Sequence, residues 1–167
     1  MLPNRTELVD GEIVEMPAQY DPAVTVIQRM NYAFFNAWRS VDLVRAGLTH
    51  AFASGWNPMP DLALYDERPP RRPKDGPYPE PRLVIEVSDE TLDYDLGEKA
   101  RHYAAENVVE YWVADVNGRI LHVFREPAGE HFRLHRKYLP GDAVSPLCLP
   151  NDSFAVAELL PQVYGQP

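Results

Sequence analysis

The stretch PRLVIEVSDETLDYDLGEKARHYAAENVVEYWVADV, residues 81–116, decides the architecture. Residues 82–88 are apolar on both alternating faces, as in a strand inside a layered domain. Residues 92–107 change to helical spacing, with Leu96, Ala100 and Tyr103 along one side. Residues 111–115 then read as a second buried strand. Working back toward the N-terminus, residues 66–81 are crowded with proline and with charges of both signs, which predicts a solvated loop. Residues 50–54 and 60–65 read as strands, and residues 22–44 as a helix closed by Gly47. The apolar stripe of that helix is Val24, Ile27, Asn31, Phe34 and Trp38. Residues 6–16 form a β-hairpin about Asp10-Gly11. Toward the C-terminus, Asn117-Gly118 turns the chain between strands at 111–115 and 119–125, residues 131–138 return, and residues 154–163 suggest one short helix. The expected fold is one α/β domain over residues 1–167, a mixed sheet with helices packed against it.

Composition narrows the function. A hydrophobic fraction of 45% and a charged fraction of 25% are those of an ordinary globular chain. No apolar run approaches the ~20 residues of a membrane helix, and MLPNRTELVDGE lacks the basic flank and apolar stretch of a signal peptide. A cytoplasmic protein with no membrane partner is expected. Cys148 is the only cysteine, which excludes an internal disulfide and a thiolate-rich zinc site. A net charge of −9 argues against uniform phosphate binding, yet metal-binding carboxylates themselves add negative charge that a cation offsets.

Two carboxylates stand where strands disfavour them. Asp61 opens the apolar run DLALY, and Glu86 interrupts LVIEV. Burying either without compensation costs several kcal/mol. If the two strands pair antiparallel across the 66–81 loop, Asp61 and Glu86 come within one or two residue steps of each other. Two such carboxylates repel unless a cation lies between them, and hard divalent ions such as Mg²⁺ take oxygen ligands. The main-chain carbonyl of Val87 is a further candidate ligand. The alternative is that Asp61 caps a turn while Glu86 pairs with a buried Arg or Lys; spacing alone leaves both open. Lys99, one turn into the following helix, can reach back toward the strand end or simply pair with Asp95 at i,i+4.

These residues stand within ordered motifs. TELVDGEIVEM, MPDLALY and the 81–116 stretch resemble the Uma-type (Uma-two, DUF820-like) family of the PD-(D/E)XK restriction-endonuclease-like superfamily. The resemblance covers nearly the whole chain. It implies an αβββαβ core with a mixed central sheet flanked by helices, an N-terminal β-hairpin and C-terminal strands. It also implies a Mg²⁺- or Mn²⁺-dependent endonuclease that cleaves phosphodiester bonds, with DNA as partner; a homodimer is the expected assembly because such small domains often pair. Pro60-Asp61 matches the Pro-Asp motif, Glu86 the (D/E), and Lys99 a lysine displaced from the position Ser88 holds. Of the two N-terminal glutamates that match, Glu7 and Glu12, Glu12 is preferred as the assisting residue. The catalytic set is then Asp61, Glu86, Lys99 and Glu12, with Asp61, Glu86 and Val87 at the metal. One departure is the first helix, which opens on Tyr20-Asp-Pro-Ala-Val24 and carries no early histidine. A nuclease fold kept as a nucleic-acid-binding or assembly module, without turnover, is the alternative from another class.

Other signals are weaker. The hairpin over residues 119–137 carries five basic residues (Arg119, Arg125, Arg133, Arg136, Lys137) against Glu126 and Glu130, a balance of +3. A phosphate contact and a solvated strand face both fit it. His131 and His135 lie about 13 Å apart along an extended strand and cannot share one ion without a bend. Tyr103, Tyr111 and Trp112 read as packing residues.

Overall fold

The computed structural model describes residues 5–9, 11–16, 21–40 and 42–162. A hairpin of β1 (Arg5–Val9) and β2 (Glu12–Met16) precedes helix α1 (Asp21–Trp38). Strands β3 (Val44–Ala46), β4 (Leu62–Leu64) and β5 (Leu83–Ser88) follow. Two short helices, α2 (Leu92–Leu96) and α3 (Glu98–Ala105), lead into β6 (Glu110–Asp115). The chain ends with β7 (Ile120–Pro127), β8 (Phe132–Tyr138), the small pair β9 (Ala143–Val144) and β10 (Phe154–Ala155), and α4 (Val156–Leu159). The sequence α1–β3–β4–β5–α2/α3–β6 is the expected αβββαβ core.

Strands β3 to β8 form one sheet in chain order, so every neighbour in sequence is a neighbour in space. Only β5 and β6 run parallel, because a helical crossover must return the chain to the same end of the sheet. The other pairs are antiparallel. Alternation then divides the side chains between two faces. Leu62, Leu64, Leu83, Ile85, Val87, Trp112, Ala114, Leu121 and Val123 pack with Ala23, Val26, Met30 and Phe34 of α1. Val84, Tyr111, Val113 and Phe124 point the other way and pack with Ala100 and Tyr103 of α3.

Several boundaries differ from the sequence expectation. Helix α1 ends at Trp38 rather than at 44, and Gly47 does not close it; Arg39, at φ 56°, does. Its backbone N–H bonds Phe35 O at 2.8 Å, and the chain turns so that Val44 can pair with Leu64. The buried stripe of α1 is Ala23, Val26, Met30 and Phe34, rotated by about one position from the expected stripe. Ile27 and Trp38 flank it. Residues 50–54 are not a strand of the sheet. They fold back on themselves through His50 N to Pro58 O at 2.9 Å and Phe52 N to Trp56 O at 3.0 Å, with Phe52 and Trp56 stacked at 5.3 Å. The helix expected over 92–107 is broken at Gly97, where a Cβ would meet Asp93 O at 2.9 Å. The tail places a strand pair before a four-residue helix. Asp10, Tyr20 and Val163 lie outside the described residues.

Candidate metal centre

The antiparallel register Leu62↔Ile85 puts Asp61 beside Glu86, one step further along both strands. Both are buried, at 4% and 2% exposure. The Asp61 carboxylate accepts a hydrogen bond from Val87 N at 2.7 Å, which draws the Val87 main chain to the same spot. The two carboxylates are therefore neighbours because alternation aims both at the α2–α3 side of the sheet.

Helix α3 closes the site from above. Ala100 and Ala104 are small enough to let the helix lie against the sheet, and Lys99 and Tyr103, four residues apart, share its inner face. Lys99 Nζ stands 3.0 Å from Glu86 Oε1, and the Tyr103 hydroxyl donates to the same oxygen at 2.8 Å. Gly97 bends the chain between α2 and α3, so Asp95 also faces inward, its Oδ1 3.8 Å from Lys99 Nζ. Asp95 Oδ2 accepts from Ser88 Oγ at 2.5 Å and Thr91 Oγ1 at 2.6 Å. Ser88 thus stands where the superfamily pattern has lysine, and it orients Asp95 instead.

The hairpin supplies the remaining partner. Glu7, 2% exposed, accepts from Lys99 Nζ at 3.1 Å and from Met59 N at 3.4 Å through Oε1. Its Oε2 is buried without a hydrogen-bond partner among the described residues. Glu12, preferred from the sequence, lies elsewhere. It sits beside the hairpin turn, opposite Val9, and is exposed, while Glu7 is two residues further into the molecule. The glutamate that the structure brings to Lys99 is Glu7. Leu8 and Val9 are both apolar, so alternation in β1 gives no unique inward parity, and the sequence held no signal that Glu7 is the buried one. Tyr103 was likewise read as packing; its position four residues after Lys99 was the available clue.

Electrostatically the site is short of positive charge. Three buried carboxylates (Glu7, Glu86, Asp95) stand around the Lys99 ammonium, and a fourth, Asp61, lies beside Glu86. Burial pushes the Glu86 carboxyl up to about 8; Lys99 opposes this, while Asp61, Asp95 and Glu7 add to it. For Lys99, burial disfavours the ammonium, but Glu86, Glu7 and Asp95 outweigh it and hold the group protonated. Burial, reinforced by Glu86, keeps the Tyr103 hydroxyl protonated, so it acts as a donor.

Among the described residues no three His, Cys, Asp or Glu side chains form a ready-made metal cage. The donors nonetheless suit a hard divalent cation. They are all oxygens, they are under-compensated, and one of them, Glu7 Oε2, lacks a partner. Mg²⁺ is ordinarily held by one or two carboxylates, with waters and substrate oxygens completing its shell, and needs no all-protein cage.

A family model for Uma2, described as "Putative restriction endonuclease", matches residues 2–157. The fold is similar to the crystal structure of a "putative nuclease belonging to DUF820" from Anabaena variabilis, with a TM-score of 0.74. That likeness covers 95% of this chain and 93% of the other at 15% identity, which speaks to the fold alone. No curated protein matches the sequence.

Proposed function

Because the chain belongs to the Uma2 family of restriction-endonuclease-like nucleases, we propose that residues 1–167 act as one domain that hydrolyses phosphodiester bonds in DNA with a divalent metal. The observation that carries this is a cluster of four buried carboxylates served by a single lysine, three of them around its ammonium and Asp61 beside Glu86. Such an arrangement is unfavourable for stability alone and is suited to taking up a cation.

In this reading Asp61, Glu86 and the Val87 carbonyl hold Mg²⁺ or Mn²⁺. Bound there, the cation supplies a Lewis acid for the phosphate and a lowered pKa for a coordinated water. Tyr103 fixes one oxygen of Glu86, leaving that carboxylate a single orientation. Lys99, held by Glu86 and Glu7, places a permanent positive charge at the site, where it steadies the attacking water or the charge that develops on the phosphate. Glu7, in place of the Glu12 expected to assist at the metal, acts through Lys99 as a positioning residue. Two copies are the expected assembly, and the exposed Tyr32 and Phe35 of α1 offer an apolar face for it. No helix among the described residues is long and apolar enough to cross a membrane.

The test is plasmid cleavage with Mg²⁺ by wild type, Asp61→Asn and Glu86→Gln, with circular dichroism to verify folding. Each substitution should lower cleavage ~100-fold or more, the several kcal/mol that a metal contributes. Unchanged cleavage in both variants refutes the assignment. Calorimetry separates the binding-module reading: absence of Mg²⁺ and Mn²⁺ uptake at millimolar metal would favour a fold retained without turnover.

A further inference from the structure

The hairpin of β7 and β8 carries five basic side chains, and the structure divides them. Arg125 is committed, 2.6 Å from the buried Glu110 carboxylate and bonded to Ser145 O at 2.7 Å. Arg119 bonds Leu160 O through two nitrogens at 3.3 Å. Arg133, Arg136 and Lys137 are exposed on β8, and among the described residues none of them forms an ion pair. That strand contains no acidic residue. It is also the last strand of the sheet, with one edge open. A chain of net charge −9 therefore concentrates unpaired positive charge along a single edge.

Register shows which way this charge faces. Glu86 pairs with Val113, Val113 with His122, and His122 with Lys137. Residues directly opposite one another across a sheet share a face, so Lys137 lies on the face of Glu86, three strands away. At ~4.8 Å per strand the separation is about 14 Å. His135, two residues before Lys137, follows on that face; Phe132 also packs there, against Tyr111 and Phe124, so alternation breaks opposite Glu126 and Arg133 stands exposed on the strand beside that break. His135 stacks on Phe124 at 4.1 Å, which fixes it to the α3 side. Arg136 belongs to the opposite face and lies 6.0 Å over the Tyr138 ring. The nearby acids do not cancel the charge. Glu130 is taken by Arg101 at 2.9 Å, and Glu126, at φ 61°, drops out of the ladder opposite Arg133.

We propose that the β8 edge, through Arg133 and Lys137, is a phosphate track that grips the backbone of duplex DNA beside the α3-covered side of the sheet that holds the Asp61–Glu86 centre. The proposal rests on the nuclease reading above and adds to it the surface that receives the substrate. Charge complementarity selects a polyanion. Residues 133–137 contain no Phe, Tyr or Trp, and the His135 ring is already stacked on Phe124 at 4.1 Å, so the track suits a duplex held by its phosphates rather than a single strand. Binding through phosphates alone carries no sequence information.

The experiment is fluorescence anisotropy of a labelled DNA duplex with Ca²⁺ replacing Mg²⁺, measured across a series of KCl concentrations. The proteins compared are wild type, Arg133→Gln/Lys137→Gln and Arg136→Gln. Two lost phosphate contacts should weaken binding about tenfold and lower the slope of log affinity against log salt by about 2 in the double variant. Arg136→Gln should match wild type. Equal affinity and slope in the double variant overturns the track and leaves the metal centre standing, which Mg²⁺ calorimetry on the same variant checks. A wild type without salt-dependent duplex binding overturns both. Tighter binding of a single-stranded oligonucleotide overturns the choice of duplex. Unchanged DNA binding with new self-association would show that these charges only block edge pairing.

Discussion

Glu110 and Glu86 are both buried glutamates on neighbouring parallel strands, yet they face opposite sides of the sheet and live in opposite circumstances. Glu110 is completely enclosed and amply supplied: the Arg125 guanidinium, Trp112 Nε1 at 2.9 Å and Leu147 N at 2.7 Å all donate to it. Glu86 shares one ammonium with two other carboxylates, Glu7 and Asp95, has Asp61 beside it, and burial pushes its carboxyl up to about 8. The difference teaches how to tell a structural charge from a functional one. A buried carboxylate with its own guanidinium and further donors is finished by the fold, whereas one left in a surplus of like charge is waiting for a cation from outside.

The largest expected effect comes from removing the cation on each face. Lys99→Met leaves Glu7, Glu86 and Asp95 with no positive partner and should cost about 4 kcal/mol in metal-free buffer; Arg125→Met should cost about 3 kcal/mol. The two should respond differently to metal. Millimolar Mg²⁺ should recover much of the Lys99→Met loss, because a divalent ion replaces the missing charge, and should leave the Arg125→Met loss unchanged. Urea unfolding with and without Mg²⁺ reads both. Equal metal responses would dissolve the distinction between the two glutamates.

Much of this arrangement is written in local pattern. The alternation in residues 83–88 and the misfit of Glu86 among apolar neighbours announce a strand with one functional position, and Asp61 announces itself the same way. What escaped depends on contacts distant in sequence. Glu7 reaches Lys99 across 92 residues, and only the docked hairpin reveals which of two glutamates turns inward. Strand β3 has three residues, Val-Arg-Ala, too few for any periodicity, so no strand is expected there and the helix is extended to its first residue, Val44. Residues 50–54 alternate like a strand, but ring stacking rather than a ladder partner shapes them. The Glu110–Arg125 pair was invisible because its logic is the register of β6 against β7.

The next effect in size separates the faces by pH. On the metal-site side, His50 is buried, with Nδ1 2.9 Å from the Tyr65 hydroxyl, and burial lowers its pKa to about 4. The unfolded chain takes up that proton near pH 6.5, so between pH 6.5 and 4 it binds more protons than the folded chain. The stability from a neutral His50 is therefore full above pH 6.5 and is lost as pH falls toward 4, by about 3 kcal/mol. His50→Asn keeps a partner for Tyr65 and removes the titration. Its urea midpoints should be less steep against pH than those of wild type across this window. Equal slopes would mean that His50 is already protonated in the folded protein.

The smallest effect asks whether the two faces are energetically separate at all. Ile85 and Glu86 are adjacent on β5 and point to opposite sides, Ile85 fully buried against α1 and Glu86 among the carboxylates. Ile85→Val deletes one methyl group from a packed core and should cost about 1 kcal/mol. For a chain of this size that lowers Tm by roughly 2–4 °C. The backbone of β5 is held on both sides, by β4 and by β6, so the loss should stay on its own face. Mg²⁺ affinity measured by calorimetry should then equal that of wild type. A weaker Mg²⁺ affinity in this variant would show that core packing behind the strand sets the position of Glu86, and that the chemical face borrows its geometry from the apolar one.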